Sequence, residues 1–139
     1  MYLSRLHISK FRVFDDITLY FKNGINILIG ENNSGKTAII DALRICLGCG
    51  KPDNFIYVQD GDLHVNPENP SEINTVIQFD LIFEFGDASI ERECFYDFIS
   101  QDKDNPDKQT IQLHLKFIQE NNGKKKYFKR IIWGGDNEG

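Results

Sequence analysis

The stretch Ile25-Asn26-Ile27-Leu28-Ile29-Gly30-Glu31-Asn32-Asn33-Ser34-Gly35-Lys36-Thr37 decides the fold, because its last eight residues fit G-x-x-x-x-G-K-[ST] at every position. Gly30 and Gly35 let the backbone turn tightly, so that successive N–H groups converge on phosphate oxygens. Lys36 adds a point charge for the β- and γ-phosphates, and Thr37 offers a hydroxyl to Mg²⁺. The helix that opens at this point turns the positive end of its dipole toward the same anion. Upstream, the β-branched run Ile25–Ile29 predicts a short buried strand. Downstream, Ile39, Leu43, Cys46 and Leu47 recur at helical spacing from Lys36 to Leu47, with Asp41 and Arg44 on the other face and Gly48 as the stop.

With 139 residues, 40% of them hydrophobic and 12% aromatic, the chain is long enough for one domain with a real core. The net charge of −5 is unevenly spread. Fourteen acidic residues face two basic ones between Asp53 and Asp107, whereas Lys124 to Arg130 carries five positive charges in seven positions. Global charge therefore gives no reason to expect DNA binding, while the local basic cluster leaves it open. Three cysteines, no signal peptide and no apolar run near eighteen residues predict a soluble cytoplasmic protein with reduced thiols and no membrane association. Cys46 and Cys49 make a C-x-x-C pair, but only the isolated His64 or Cys94 could complete a zinc site, so Cys46 reads as helix packing.

Taken in order, Leu3 to Phe11 alternates as an opening strand, and Ile17, Leu19 and Phe21 form a second one after an Asp15-Asp16 turn. Asn23-Gly24 then signals a hairpin into the Ile25 strand. Residues 51–74 read as a long loop, with Gln59 or Asp62 as a further Mg²⁺ ligand. The lobe 75–139 contains a strand through Ile77, Phe79, Leu81, Phe83 and Phe85. A helix capped by Ser89 or Asp87 follows, with Ile90, Cys94, Phe95 and Phe98 on one side. Ile111, Leu113, Leu115 and Phe117 form another strand, and Asn121-Asn122-Gly123 turns it into a partner from Lys125 to Trp133. The expected organisation is thus 1–50 for strands, P-loop and helix, 51–74 for the loop and 75–139 for an antiparallel lobe with one helix.

Four features together resemble the N-terminal part of the ABC-type ATPase heads of the overcoming-lysogenization-defect (OLD) nucleases, RecF and the structural-maintenance-of-chromosomes (SMC) proteins. They are the strand end Lys10-Phe11-Arg12, the strand Ile17 to Phe21, the block Asn26 to Thr37, and the helix end Asp41-Ala42-Leu43-Arg44. Gly61-Asp62-Leu63-His64 and the terminal Trp133-Gly134-Gly135 look most like the OLD branch. The resemblance implies an α/β P-loop NTPase with a mixed sheet and an antiparallel β lobe, an incomplete domain covering the first portion of a family member. It implies ATP and Mg²⁺ as ligands, with Arg12, Gly30, Asn32, Asn33, Ser34, Gly35, Lys36, Thr37 and Ala38 around the nucleotide, Thr37 on the metal and Lys36 in the catalytic role. The resemblance further implies a homodimer of heads in the parent protein, with DNA as a partner reached through that protein.

Paired acids after an apolar run, a Ser-Gly-Gly signature and a nuclease domain are not found in the sequence, which predicts binding with little hydrolysis by this chain. The alternatives are a RecF- or SMC-like repair ATPase, a stand-alone P-loop switch or kinase, and an interaction domain with a vestigial loop. An early antiparallel hairpin favours the head, and the lack of Asn-Lys-x-Asp weighs against a GTPase.

Overall fold

The computed structural model describes residues 1–31, 35–48, 57–86, 89–105 and 107–136. Alternating apolar residues generate its main feature, an antiparallel sheet of six strands: β1 (Tyr2–Phe11), β2 (Phe14–Tyr20), β3 (Val76–Glu84), β4 (Ile99–Gln101), β5 (Gln109–Asn122) and β6 (Lys125–Gly134). The spatial order is β2-β1-β3-β5-β4, and β6 shares the β4 edge of β5 farther along that strand. Every described strand pair is antiparallel.

Because successive side chains point to opposite faces, one face of the sheet is apolar and the other polar. Leu6 and Ile8 of β1, Ile77, Phe79 and Leu81 of β3, and Leu115 and Phe117 of β5 are buried on the first face. Phe11, Phe79 and Phe117 make a file of edge-to-face rings across the strands, with centroids 5.1 and 6.1 Å apart. Helix α1 (Lys36–Leu47) joins this core through Ala38, Ile39, Ala42, Ile45 and Cys46. The helix has the expected limits, and the Gly48 N–H closes it on the Arg44 carbonyl at 2.9 Å. Of the expected stripe, Ile39 and Cys46 are buried and Leu43 packs at the margin of the core, whereas Leu47 is exposed. Ala38, Ala42 and Ile45 widen the buried face beyond the large apolar residues that spacing picked out.

Three further expectations are corrected. Ile25–Ile29 forms no strand, and Ile25, Ile27 and Ile29 are 93%, 77% and 91% exposed. Leu28 alone of this run packs against the core, and no strand among the described residues lies alongside, so the run has no ladder to join. The reversal between β1 and β2 falls at Arg12-Val13, between the paired Phe11 and Phe14, and Asp15 and Asp16 lie inside β2. The helix after β3 is a single short segment, α2 (Ser89–Cys94), followed by a 3-10 turn at Tyr96–Phe98, with Cys94, Phe95 and Phe98 exposed. Asp87 and the side chain of Ile90 lie outside the described residues. The β5–β6 hairpin turns at Gly123-Lys124, where Gly123 takes φ 66°.

The polar face is held by shared charge. Asp80 accepts hydrogen bonds from His7 Nδ1 at 2.8 Å, His114 Nδ1 at 2.5 Å and Gln78 Nε2 at 2.9 Å. The other His7 nitrogen donates to Asp16 at 2.7 Å, so both ring nitrogens face carboxylates and the imidazolium form fits the site. Burial pulls the His7 pKa down, but the hydrogen bonds and charges of Asp80 and Asp16 outweigh it and hold the ring above the ordinary histidine value. Burial pushes Asp80 up, and its bonds to Gln78, His7 and His114 bring it below the usual carboxylate value.

The His7 contribution to stability is complete below about pH 6.5 and is lost as pH rises through the raised folded value. The Asp80 contribution is present above about pH 4 and is lost as pH falls through its lowered folded value. Asp80→Asn is expected to cost about 2 kcal/mol of unfolding free energy at pH 5.5 and less at pH 8. Urea unfolding at the two pH values checks this, and an equal loss at both would mean that His7 is not charged against Asp80.

Candidate phosphate-binding site

The end of the sheet where β1 turns into β2 meets the start of α1. Gly35 stands at the helix N-terminus with φ 92°, a left-handed conformation natural to glycine, and its carbonyl accepts the first helical bond from the Ile39 N–H at 3.0 Å. A Cβ on Gly35 would lie 2.5 Å from the Phe14 ring and 3.1 Å from Val13, so the loop glycine packs directly on the β1–β2 turn. Gly35 at the N-cap brings no capping side chain, and the first turn carries no acidic residue. The first N–H groups of a helix have no partner within it, and together with the helix dipole they suit an anion. Lys36 is half-buried and Thr37 exposed at this end, and among the described residues Lys36 has no ion pair. Ala38 is buried against the sheet. Gly30 is exposed, while Asn32, Asn33, Ser34 and Cys49 lie outside the described residues.

Arg12 occupies the turn itself. Its Nη1 donates to Asp41 of α1 at 2.6 Å and its Nε to Asp62 at 2.9 Å, and its guanidinium carbon lies 4.8 Å from the centroid of the Phe11 ring. Burial works against the charge, but the hydrogen bonds and charges of the two carboxylates more than offset it, so the guanidinium stays ionised. The backbone around it is unusual, since Lys10 and Arg12 both have positive φ, 59° and 51°. Each such residue costs about 1–2 kcal/mol unless its surroundings hold it.

Those surroundings come from the loop at residues 57–74. The Arg12 N–H donates to the Asp62 carbonyl at 2.7 Å, the His64 N–H to the Lys10 carbonyl at 3.1 Å, and His64 Nδ1 to the Arg12 carbonyl at 2.8 Å. Leu63 bridges Phe11, and Lys10 pairs with Asp15.

Two candidates from this loop are thus placed. Asp62 directs one carboxylate oxygen to Arg12 and accepts the Gln59 N–H on the other at 2.9 Å, at the end of a 3-10 turn spanning Asp60–Asp62. Gln59 is exposed. Sequence reading placed Asp41 on the open helix face and gave His64 no part near Arg12. Neither ion pair leaves a local signal, because Asp41 and Asp62 lie 29 and 50 positions from Arg12. The segment Gly61-Asp62-Leu63-His64 was legible only as part of a family resemblance.

A complete G-x-x-x-x-G-K-[ST] motif ending where α1 begins, beside an antiparallel sheet, is the arrangement of a P-loop NTPase lobe. The family model described as an AAA domain matches residues 5–138, and the chain belongs to that family. A DNA replication and repair protein RecF from Limosilactobacillus reuteri (strain DSM 20016) is 42% identical over 45 residues, covering 32% of this chain and 12% of the relative. A DNA double-strand break repair Rad50 ATPase from Thermoplasma volcanium is 40% identical over 47 residues, 34% of this chain and 5% of that protein. The matched stretches are therefore a small part of those relatives. A solved structure from work on ATP-driven dimerization and DNA stimulated activation of SMC ATPases shares the fold at TM-score 0.63 and 16% identity, over all of this chain and 72% of that one. Among the described residues no helix is long and apolar enough to cross a membrane.

Substituting Gly35 by alanine adds overpacking against Phe14 to left-handed strain, and is expected to destabilise the fold by about 2–4 kcal/mol. Gly123→Ala, at positive φ but in open space, should cost only about 1 kcal/mol. Denaturant unfolding of the two variants gives the comparison, and equal losses would remove the contact between loop and turn.

Proposed function

We propose that this chain is the Mg-ATP-binding lobe of a DNA-processing ATPase head, of the kind found in RecF, Rad50 and SMC proteins. The observation that carries the proposal is the complete Gly30–Thr37 motif ending at the N-terminus of α1, where left-handed Gly35 is set against the β1–β2 turn that holds Arg12. Backbone N–H groups and Lys36 would hold the phosphates, Thr37 would ligate Mg²⁺, with Gln59 as a further candidate, and Arg12 supplies a second cation at the side of α1. Bound Mg²⁺ supplies charge neutralisation of the terminal phosphates. In this reading two heads sandwich nucleotide between them, and the structural neighbour comes from work on ATP-driven dimerization of SMC ATPases.

The local matches to RecF and Rad50 favour a repair ATPase. A narrower reading, an OLD-family ATP-dependent endonuclease, is supported by Gly61-Asp62-Leu63-His64 and Trp133-Gly134-Gly135. In the fold, the first segment pins the Arg12 turn and the second carries Trp133, which stacks on His114 with centroids 5.1 Å apart. A stand-alone switch or kinase accounts less well for the β1–β2 hairpin ahead of the P-loop.

Lys36→Ala should weaken Mg-ATP binding while leaving the fold intact. Wild type at a hundredfold excess of nucleotide over its dissociation constant should gain about 2.7 kcal/mol in thermal unfolding. If wild type and Lys36→Ala shift equally with Mg-ATP, the cradle is misassigned.

The basic hairpin tip is the DNA-facing candidate. β3 stops pairing at Ile118, so the tip beyond Gln119 extends past that strand with Lys124, Lys125 and Lys126 exposed, and Lys129 and Arg130 follow on β6. If all five meet duplex phosphates, affinity should fall about 500-fold between roughly 50 and 200 mM salt. An unchanged DNA affinity after Lys124, Lys125 and Lys126 are all made alanine would remove this role.

A further inference from the structure

A guanidinium has five N–H donors in a rigid fork, and in Arg12 two sides of that fork are committed. Nε is held by Asp62 and Nη1 by Asp41, with the Phe11 ring at 4.8 Å from the guanidinium carbon, while among the described residues no acceptor meets Nη2. An arginine so gripped has lost most of the freedom it would otherwise give up on binding, and its remaining edge is set to take one more anionic oxygen. The backbone is fixed as firmly, since Asp62 and His64 hold both carbonyl and N–H of Arg12. Asp62 thus contacts this one residue twice, by its main-chain carbonyl and by its carboxylate.

We infer that Asp62 is a positioning residue, which aims the open Nη2 edge of Arg12 at a phosphate oxygen of the nucleotide bound by the loop before α1. This rests on the Mg-ATP reading given above. It assigns the Asp62 carboxylate to orienting a cation, in place of binding metal, and both of its oxygens are already taken by N–H donors. It also makes the 3-10 turn at Asp60–Asp62 a link between the phosphate site and the rest of the sheet, because Gln119 of β5 donates to Asp60 at 2.5 Å.

The test is a double-mutant cycle read by calorimetric Mg-ATP affinity, with thermal unfolding of every variant in the absence of nucleotide as the folding control. Asp62→Asn keeps size and shape but loses the charge that orients Arg12. We expect Arg12→Ala to weaken binding at least 10-fold, Asp62→Asn to weaken it 3- to 10-fold, and the double variant to bind no more weakly than Arg12→Ala. Asp62→Glu, which keeps the charge, should recover part of the loss. Additive losses, or Asp62→Asn binding as wild type does, would overturn the positioning role. A purely structural role would lower thermal stability without making the affinity effect depend on Arg12. Lys36→Ala on the same footing separates the two readings. If it abolishes binding while Arg12→Ala has no effect, the cradle stands and the Arg12 inference falls. If Lys36→Ala binds like wild type, both fall.

Discussion

The contact on which the rest depends is the seating of α1 on the apolar face of the sheet, with Gly35 pressed against Phe14 and Val13 at the β1–β2 turn. A left-handed glycine and buried Ala38 and Ala42 hold the N-terminus of α1 in one place, which the proposed phosphate site requires. Larger side chains at those alanines would push the helix away from the core it shares with the sheet. Packing and ligand geometry are in this way set by the same few small residues.

Charge is arranged on the two sides of that core for different ends. On the polar face, Asp80 joins His7 of β1 to His114 of β5 across three neighbouring strands, and Trp133 stacks on the far side of His114. This network is satisfied internally and closes the sheet laterally. At the turn, Arg12 is held by two carboxylates from different parts of the chain and, among the described residues, keeps one edge open. The first arrangement uses up its hydrogen-bonding capacity, and the second reserves some. That difference is why the Arg12 cluster, rather than the histidine cluster, suits a site for an anion. The energetic cost of the two positive-φ residues at the turn fits the same view, because strain is tolerated where several bonds from residues 62–64 hold the backbone.

Strands with strict alternation were legible from local pattern, since a sheet with one buried face writes its register into the chain. Leu6 and Ile8, Ile77 to Leu81, and Leu115 and Phe117 all lie where that pattern puts them. The Asn121-Asn122-Gly123 reversal follows equally from a glycine that takes φ 66°. Ile25–Ile29 reads the same way and yet pairs with nothing described, because β-branched residues supply a propensity and a strand also needs a neighbour. The phenylalanines and Cys94 beyond β3 failed for a related reason: spacing alone does not reveal whether a surface exists for a short helix to cover.

By itself, then, the sequence determined the Gly30–Thr37 motif, the limits of α1 and the alternation of the long strands. Each is a local property of spacing and residue type, within one turn of helix or one pleat of strand. Tertiary structure alone decided that Ala38, Ala42 and Ile45 join the buried face of α1, that Asp80 lies between two histidines, and that Asp41 and Asp62 grip Arg12. These depend on side chains as many as 73 positions apart meeting in space. Such meetings are set by strand order and helix placement, and Coulombic attraction between distant residues leaves no period in the chain.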